Sequence, residues 1–224
     1  GNDVLRPLCR IGDEVIEPPR IRLARLPTPL VPLRRLSRML DGPLIWLKRD
    51  DLTDTVACGN KLRKLEFVVA QALAENATVL ITCGGVQSNH CRATAVIASQ
   101  LGLKSHLILR GRDEGIADGN LMLDRLLGAE ITFTTQQASA DLPPLFAQIA
   151  ADYRQRNERP FCIPVGASDE IGLWGYIYAC AELKTDFERH DIAPNYVVSA
   201  TGSGGTLGGL ILGRHIHDLT ASMI

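Results

Sequence analysis

The stretch TVLITCGGVQSNHCRATAVIASQLGLKSHLIL, residues 78–109, decides the fold class. It opens with a β-branched apolar run, residues 78–82, that predicts a buried strand. A glycine pair ends that strand, and Ser88 or Asn89 can then cap a helix. A second apolar strand follows at residues 105–109. A strand, a helix and a strand in this order predict a parallel βαβ unit.

The same alternation continues along the chain and predicts an open α/β sheet with helices on both faces. Proline-rich residues 1–43 predict an extended arm with short elements. Further strands are predicted at residues 44–48, 130–134, 161–165 and 196–200, and helices at 60–76, 119–127, 143–156, 172–188 and 207–212.

Composition excludes several function classes. The 224 residues are 46% hydrophobic and 22% charged, as in a globular protein with one large or two modest domains. A net charge of −1 indicates neither a nucleic-acid nor a membrane partner, and no apolar run reaches transmembrane length. Six cysteines without a C-x-x-C pair predict reduced, mostly buried thiols in a cytoplasmic protein and no metal site. No signal peptide is visible at Gly1-Asn2-Asp3.

A lysine stands at a turn in the segment GNKLRKLE, residues 59–66. Lys61 follows a turn-forming Gly-Asn pair and begins an amphipathic helix. Cationic neighbours, Arg63 and Lys64, or removal from water would lower its pKa and make the amine a nucleophile. The alternative is an ordinary solvated basic turn.

A glycine loop with the residues TGSGGT occupies positions 201–206, between an apolar strand and an apolar helix. Free backbone N–H groups and the helix dipole favour an anion at such a loop. The candidate phosphate ligands are Thr201, Gly202, Ser203, Gly204, Gly205 and Thr206. No Gly-Lys-Ser/Thr follows and no dinucleotide fingerprint is present, so a structural turn stays the alternative.

A third segment, GGVQSNH at residues 84–90, follows a strand and opens a helix. That is the sheet edge where α/β proteins place ligands. Asn89 can donate to a cofactor oxygen and His90 can act as a base. The plainer interpretations are Ser88 as a helix cap and a histidine satisfied by its neighbours.

In this order, the motifs resemble the D-cysteine desulfhydrase and 1-aminocyclopropane-1-carboxylate (ACC) deaminase family of fold-type II, tryptophan-synthase-β-like enzymes, which depend on pyridoxal phosphate (PLP). The matching segments are Leu26-Pro27-Thr28-Pro29-Leu30, Lys48-Arg49-Asp50-Asp51, residues 59–66, Gln87-Ser88-Asn89-His90, Ile163-Pro164-Val165-Gly166 and Thr201-Gly202-Ser203-Gly204. The resemblance implies two open, mostly parallel sheets with helices on both faces. It further implies an arm and first part of a large domain at 1–50, a small α/β domain at 51–160, and the rest of the large, phosphate-binding domain at 161–224.

The resemblance also implies roles for individual residues. Lys61 would carry PLP as a Schiff base and remove the substrate Cα proton, with Asn60 preceding it in the family's Asn-Lys pair. Asn89 would contact the ring oxygen, and the loop at 201–206 would hold the phosphate. Ser88, a catalytic residue, would face the substrate together with Asn89 and His90.

The implied activity is PLP-dependent carbon–sulfur lysis of a small amino acid. D-cysteine would be eliminated to pyruvate, ammonia and sulfide. Leu62 favours this activity over ACC deamination, because ACC deaminases tend to carry threonine there. ACC deaminase, a serine/threonine dehydratase-like lyase, and a non-catalytic anion-binding α/β module remain the alternatives.

Two departures from the family pattern stand out. Cys58 replaces a usual glycine, and the chain stops where another strand begins, at residues 220–224. The second departure predicts a C-terminally truncated chain whose larger domain is incomplete and which binds PLP weakly or not at all. It also predicts a homodimer or higher oligomer, because an open sheet edge and apolar surface favour association.

Overall fold

The structure, a computed structural model, describes residues 17–135 and 142–224. Residues 1–16 of the predicted arm, with Cys9, lie outside these ranges. The helices and strands follow one another in the order β1 (Leu30–Pro32), α1 (Arg34–Met39), β2 (Trp46–Lys48), α2 (Asn60–Ala74), β3 (Val79–Gly85), α3 (Asn89–Gln100), β4 (Lys104–Arg110), α4 (Gly119–Leu126), β5 (Glu130–Thr134), α5 (Leu142–Gln155), β6 (Pro160–Cys162), α6 (Trp174–His190), β7 (Tyr196–Val197), α7 (Gly205–Ile216) and β8 (Ser222–Met223).

A four-stranded parallel sheet, with the strand order β5-β4-β3-β6, carries the candidate site. Residues 79–83 of β3 are buried, as expected for a central strand with an uninterrupted apolar run. The register pairs Gly85 with Arg110 and Arg110 with Thr134. The carboxyl ends of β3, β4 and β5 therefore lie side by side at one edge, where open α/β sheets bind ligands.

Helices cover both faces of this sheet. Leu65 of α2 and Ile97 of α3 pack in one cluster with Leu80 of β3. Ile81 points to the opposite face and packs in a second cluster with Ile149 of α5. Each fully buried apolar side chain of this size contributes about 1.5–3 kcal/mol. This arrangement confirms the predicted α/β class with a parallel sheet covered on both sides.

A second, smaller parallel pair consists of β7 and β8. Tyr176 and Cys180 of α6 are buried against Leu210 of α7 and Met223 of β8. β7 leads through the glycine loop into α7, so this packing also positions the loop.

A buried ion network ties α2 to the N-terminal segment and to α6. Arg63 is 1% exposed and donates to both carboxylate oxygens of Asp50, at 2.8 and 2.9 Å, and of Glu182, at 2.8 and 3.0 Å. Lys48 adds an ion pair of 2.6 Å between its Nζ and Asp186 Oδ2. Buried charges need such complete pairing, because their removal from water is costly. The network fixes the start of α2 relative to α6.

The predicted helices and strands are confirmed, with shifts at their ends. The helix expected at 60–76 spans Asn60–Ala74, and Ser88 caps α3 as expected. The strand expected at 196–200 is reduced to Tyr196–Val197, and the one expected at 161–165 to Pro160–Cys162. The division into domains stays a prediction.

Five cysteines fall in the described ranges and all are free thiols. Cys83, Cys91 and Cys180 are buried, whereas Cys58 is half-buried and Cys162 is exposed. Among the helices that the structure describes, none combines the length and the apolar character that crossing a membrane requires.

Candidate active site

A cavity of about 560 Å³ opens at the carboxyl edge of the four-stranded sheet. Its volume lies within the range of sites for small molecules and cofactors. The cavity is lined by α2, the carboxyl-terminal parts of β3, β4 and β5, the starts of α3 and α5, the turn after β6 and the glycine loop. The lining residues are Asn60, Lys61, Cys83, Gly84, Gly85, Gln87, Ser88, Asn89, His90, Ile108, Arg110, Thr134, Leu142, Val165, Gly166 and Ser203.

Lys61 lies in the wall of this cavity, one residue inside α2. Its Nζ donates to Asn60 Oδ1 at 3.3 Å, and Asn60 Nδ2 donates to Thr206 Oγ1 at 3.1 Å. Partial burial lowers the pKa of the Lys61 amine. Asn60 therefore connects Lys61, whose pKa is lowered by burial, with the glycine loop.

A second amine, Lys64 Nζ, lies behind Lys61 and is fully buried. It donates to the Gly166 carbonyl oxygen at 2.6 Å and to Ser168 Oγ at 2.9 Å. Burial first, and then the charge of Lys61, lowers the pKa of Lys64 to about 8. Because Lys64 has its own acceptors and no exposure, Lys61 is the amine available to a ligand.

The glycine loop approaches this pair of lysines. Gly204 has a φ of +83°, a left-handed conformation that glycine adopts without strain, and α7 begins at the next residue. A Cβ on Gly205 would lie 2.4 Å from Lys64 Nζ and 2.8 Å from Ser168 Cβ, so a larger residue would force both neighbours to shift. Ser203 Oγ lies 2.6 Å from Ser168 Oγ.

Of the six loop residues, Ser203 lines the cavity directly and Thr206 reaches it through Asn60. Thr201, Gly202 and Gly204 are exposed beside the cavity and do not line it.

The segment that caps α3 forms the opposite wall. Ser88 Oγ accepts from the backbone N–H of Cys91 at 3.2 Å, which leaves its own hydroxyl hydrogen for another acceptor. Asn89 is exposed and lines the cavity, with its Oδ1 accepting from Asn120 Nδ2 at 2.9 Å.

His90 also lines the cavity, but only 3% of its surface is exposed. Its Nε2 lies 2.8 Å from Thr82 Oγ1, which itself donates to the Ile163 carbonyl at 2.9 Å. The single hydroxyl hydrogen of Thr82 is therefore used, and Nε2 must be the protonated ring nitrogen. Burial, reinforced by the charges of Lys61 and Lys64, lowers the pKa of His90 to about 3. A neutral, buried ring suits support of the lysines better than proton transfer.

The residues present fit PLP. Its aldehyde reacts with an unprotonated amine, and burial shifts the pKa of Lys61 in the direction that favours this form. Its phosphate requires hydrogen-bond donors at a loop that admits close approach, and the loop from 201 to 206 can offer backbone N–H groups at the start of α7. Asn89 can present an amide donor from the facing wall.

Sequence reasoning missed several residues of the site. From the sequence, Lys64 and Arg63 are only positive charges near Lys61. Their hydrogen bonds run to Gly166 and Glu182, more than 100 residues along the chain, and leave no local signal. Arg110 adds a cation to the cavity wall. Its place at the end of a predicted strand, level with Gly85, was the signal that could have found it.

The lysine, the glycine loop and their place at the edge of a parallel sheet define a cofactor-binding α/β enzyme. The family described as "Pyridoxal-phosphate dependent enzyme" matches residues 21–221. The chain belongs to this family, whose cofactor is PLP.

Within this family, the chain is similar to proteins named as D-cysteine desulfhydrases and ACC deaminases. The chain is 39% identical over 211 residues to the Arabidopsis thaliana "Bifunctional D-cysteine desulfhydrase/1-aminocyclopropane-1-carboxylate deaminase, mitochondrial", covering 90% of this chain and 52% of that protein. It is 42% identical to the "Putative 1-aminocyclopropane-1-carboxylate deaminase" of Thermotoga maritima, covering 87% and 61%. It is 38% identical to the "D-cysteine desulfhydrase" of Serratia proteamaculans, covering 87% and 60%. These matches confirm the resemblance drawn from the motifs.

A solved structure, the "ACC deaminase homologue", superimposes with a TM-score of 0.82 at 37% identity. The match covers 91% of this chain and 61% of that one. The chain thus spans about half to three-fifths of the length of the relatives it matches.

Proposed function

We propose that the chain is a PLP-dependent lyase that acts on a small amino acid, with D-cysteine desulfhydrase as the favoured activity. The reaction would release pyruvate, ammonia and sulfide. One observation supports it above the others. The half-buried Lys61 amine, with its lowered pKa, faces a cavity bounded by a glycine loop and by Ser88-Asn89. Relatives named as D-cysteine desulfhydrases add weight.

Each part of the cavity has a proposed binding task. Lys61 would hold the cofactor covalently, and Asn60 would support both Lys61 and the loop through Thr206. Asn89 would donate to the ring oxygen. The six loop residues from Thr201 to Thr206 would supply the phosphate donors: Thr201, Gly202, Ser203, Gly204, Gly205 and Thr206. When bound, PLP supplies a sink for the electron pair left at the substrate Cα.

The protein's share of the chemistry would be orientation and proton transfer. Burial favours the neutral form of the Lys61 amine, which can take the proton from the substrate Cα. The unused hydroxyl hydrogen of Ser88 can bind a substrate carboxylate. His90 stays a proposed neighbour of the substrate, although its buried ring points to a supporting contribution.

ACC deamination is the second candidate, favoured by the ACC deaminase homologue and by relatives that carry that name. The preference for D-cysteine rests on Leu62 as a mark of family membership and not as a contact with the substrate. Leu62 is fully buried in the core and does not line the cavity, so its side chain does not meet a substrate. The choice between the two substrates therefore rests on an assay.

Titration with PLP, followed by absorption in the visible range, tests the cofactor. With PLP in large excess, to allow for the weak binding expected from the sequence, we expect a visible band in the wild-type chain and none in Lys61→Ala. Ammonia and sulfide are then measured with D-cysteine, L-cysteine and ACC. Sulfide and ammonia from D-cysteine support desulfhydrase activity, and ammonia from ACC without sulfide supports the second candidate. Phosphate binding without a visible band would instead indicate a non-catalytic anion-binding module.

We also propose a homodimer or higher oligomer. The exposed Tyr196 and Val198 lie at the β7 edge, and Leu212 and Ile216 of α7 are exposed as well. An apolar surface beside a strand edge favours association. Light scattering after size-exclusion chromatography tests this, and a monomer at every concentration would overturn it. Free thiols at the described cysteines support a reducing compartment, with the cytoplasm proposed and cell fractionation as its test.

A further inference from the structure

Asn120, the second residue of α4, is hydrogen-bonded to the segment from 87 to 92 that forms one wall of the cavity. Its Nδ2 donates to Asn89 Oδ1 at 2.9 Å and to the Gln87 carbonyl oxygen at 2.8 Å. Its backbone N–H donates to Gln87 Oε1 at 2.8 Å. Its Oδ1 accepts from Arg92 Nη1 at 2.9 Å. Every hydrogen-bonding group of the Asn120 amide is therefore engaged.

The polarity of this network follows from groups that cannot reverse. A guanidinium only donates, so the Asn120 atom that faces Arg92 must be the oxygen. A backbone carbonyl only accepts, so the Asn120 atom that faces the Gln87 carbonyl must be the NH₂ group. The same NH₂ group faces Asn89, and the Asn89 atom that meets it must be the oxygen. Turning either amide over would oppose two donors or two acceptors.

The consequence for Asn89 is a defined direction. With its oxygen held by Asn120, its Nδ2 is left for the cavity that Asn89 lines. Within residues 17–135 and 142–224, this NH₂ group donates to no protein acceptor. We propose that Asn120 is a positioning residue that turns the Asn89 amide so that a donor, not an acceptor, faces an anionic ring oxygen of the cofactor. This inference rests on the proposed PLP site.

The network also reaches the segment that precedes the lysine. Arg92 Nη2 donates to the Cys58 carbonyl oxygen at 2.8 Å, three residues before Lys61. The Asn120 amide and the turn before α2 thus share one guanidinium. Arg92 and Asn120 therefore fix the positions of Lys61 and Asn89 relative to each other, so that one ligand can contact both.

Asn120→Asp tests the positioning of Asn89. The carboxylate keeps the shape and an acceptor for Arg92, but it removes the donor that holds Asn89. The Asn89 amide then turns over to donate to the new carboxylate, and its oxygen enters the cavity. We expect the PLP dissociation constant to rise about ten- to a hundredfold, the effect of losing a hydrogen bond to a charged group. Asn120→Ala, which frees Asn89 without reversing it, should have the smaller effect.

Asn120→Asp also sets a carboxylate oxygen against the Gln87 carbonyl oxygen, so the Asn89→Ala background is what separates the positioning of Asn89 from this structural penalty. A smaller loss of PLP affinity for Asn120→Asp than for Asn120→Ala would overturn the proposal. So would an Asn120→Asp loss that persists in an Asn89→Ala background, where no amide is left to turn. Met122→Ala, at an exposed position of the same helix, is the matched control and should leave PLP affinity unchanged.

A second readout needs no cofactor. In the NMR spectrum of the PLP-free chain, the Asn89 side-chain NH₂ should exchange rapidly with water in the wild type. In Asn120→Asp it should become protected. If the two proteins differ in this exchange but the wild type binds no PLP, the proposed function is wrong and the orientation of Asn89 by Asn120 still holds. Equal exchange in both proteins would defeat the orientation itself.

Discussion

Replacing Asp124 with asparagine should stabilise the protein at neutral pH and should have almost no effect at pH 4. Asp124 of α4 is fully buried, and neither of its carboxylate oxygens has a hydrogen-bond partner among the described residues. Burial raises the pKa of Asp124 to about 7 from an ordinary 3.8, against the attraction of Arg92. The ionised form is therefore the destabilising one.

The direction of the pH dependence follows from proton linkage. Between about pH 4 and pH 7, the folded state keeps a proton on Asp124 that the unfolded state has released. The contribution of Asp124 to stability therefore falls as pH rises through this range and is at its lowest above pH 7. At 1.36 kcal/mol per pH unit, the difference amounts to about 4 kcal/mol at most. A slight opening that hydrates the carboxylate would reduce it, so we expect about 2–4 kcal/mol.

Urea unfolding at intervals from pH 4 to pH 8 measures this effect. Asn has the shape of a protonated carboxyl group, so the Asp124→Asn variant should match the wild type at pH 4 and exceed its free energy of unfolding at pH 8. Glu114→Gln, at an exposed position, controls for general charge effects and should follow the wild-type curve. A variant that is less stable at pH 8, or a difference independent of pH, would refute the reasoning.

Two further substitutions test the packing around the lysines. Arg63→Met should cost about 3–5 kcal/mol in urea unfolding, because it leaves two half-buried carboxylates without their bidentate partner; a loss under 1 kcal/mol would contradict the network. Gly205→Ala should cost about 1–3 kcal/mol and weaken PLP binding, because the new Cβ would meet Lys64 Nζ at 2.4 Å. Gly42→Ala lies outside the site, its new Cβ would make only an ordinary 3.6 Å contact with the Leu40 carbonyl oxygen, and it is the control that should be tolerated; equal losses in both variants would argue against the steric account.

The sequence predicted the elements because their signals are local. The apolar run at 79–83 and the glycine pair after it belong to one strand and its end, and Ser88 caps the helix that begins one residue later. Lys61 could be singled out because its turn and its helix are neighbours in the chain.

Long-range contacts decide what the sequence left open. Lys64 resembles any solvated lysine of an amphipathic helix until its acceptor, the carbonyl of Gly166, is brought to it from 102 residues away. Asn120 lies 31 residues from Asn89, and nothing in its own neighbourhood indicates that contact. For His90 the sequence allowed a base or a satisfied histidine. Its burial and the bond of its Nε2 to Thr82 favour a buried supporting residue over a base, while its Nδ1 has no hydrogen-bond partner among the described residues.

The central claim is that Lys61 is the amine that holds PLP. Borohydride reduction of the PLP-treated chain, followed by proteolysis and mass spectrometry, tests it directly. Reduction makes the bond between the amine and the cofactor permanent, so the modified residue can be identified. The account predicts one modified peptide, with the cofactor on Lys61 and with Lys64 unmodified, since Lys64 is buried and engaged by Gly166 and Ser168. Cofactor on Lys64 or on surface lysines, or no modification at all, would contradict it.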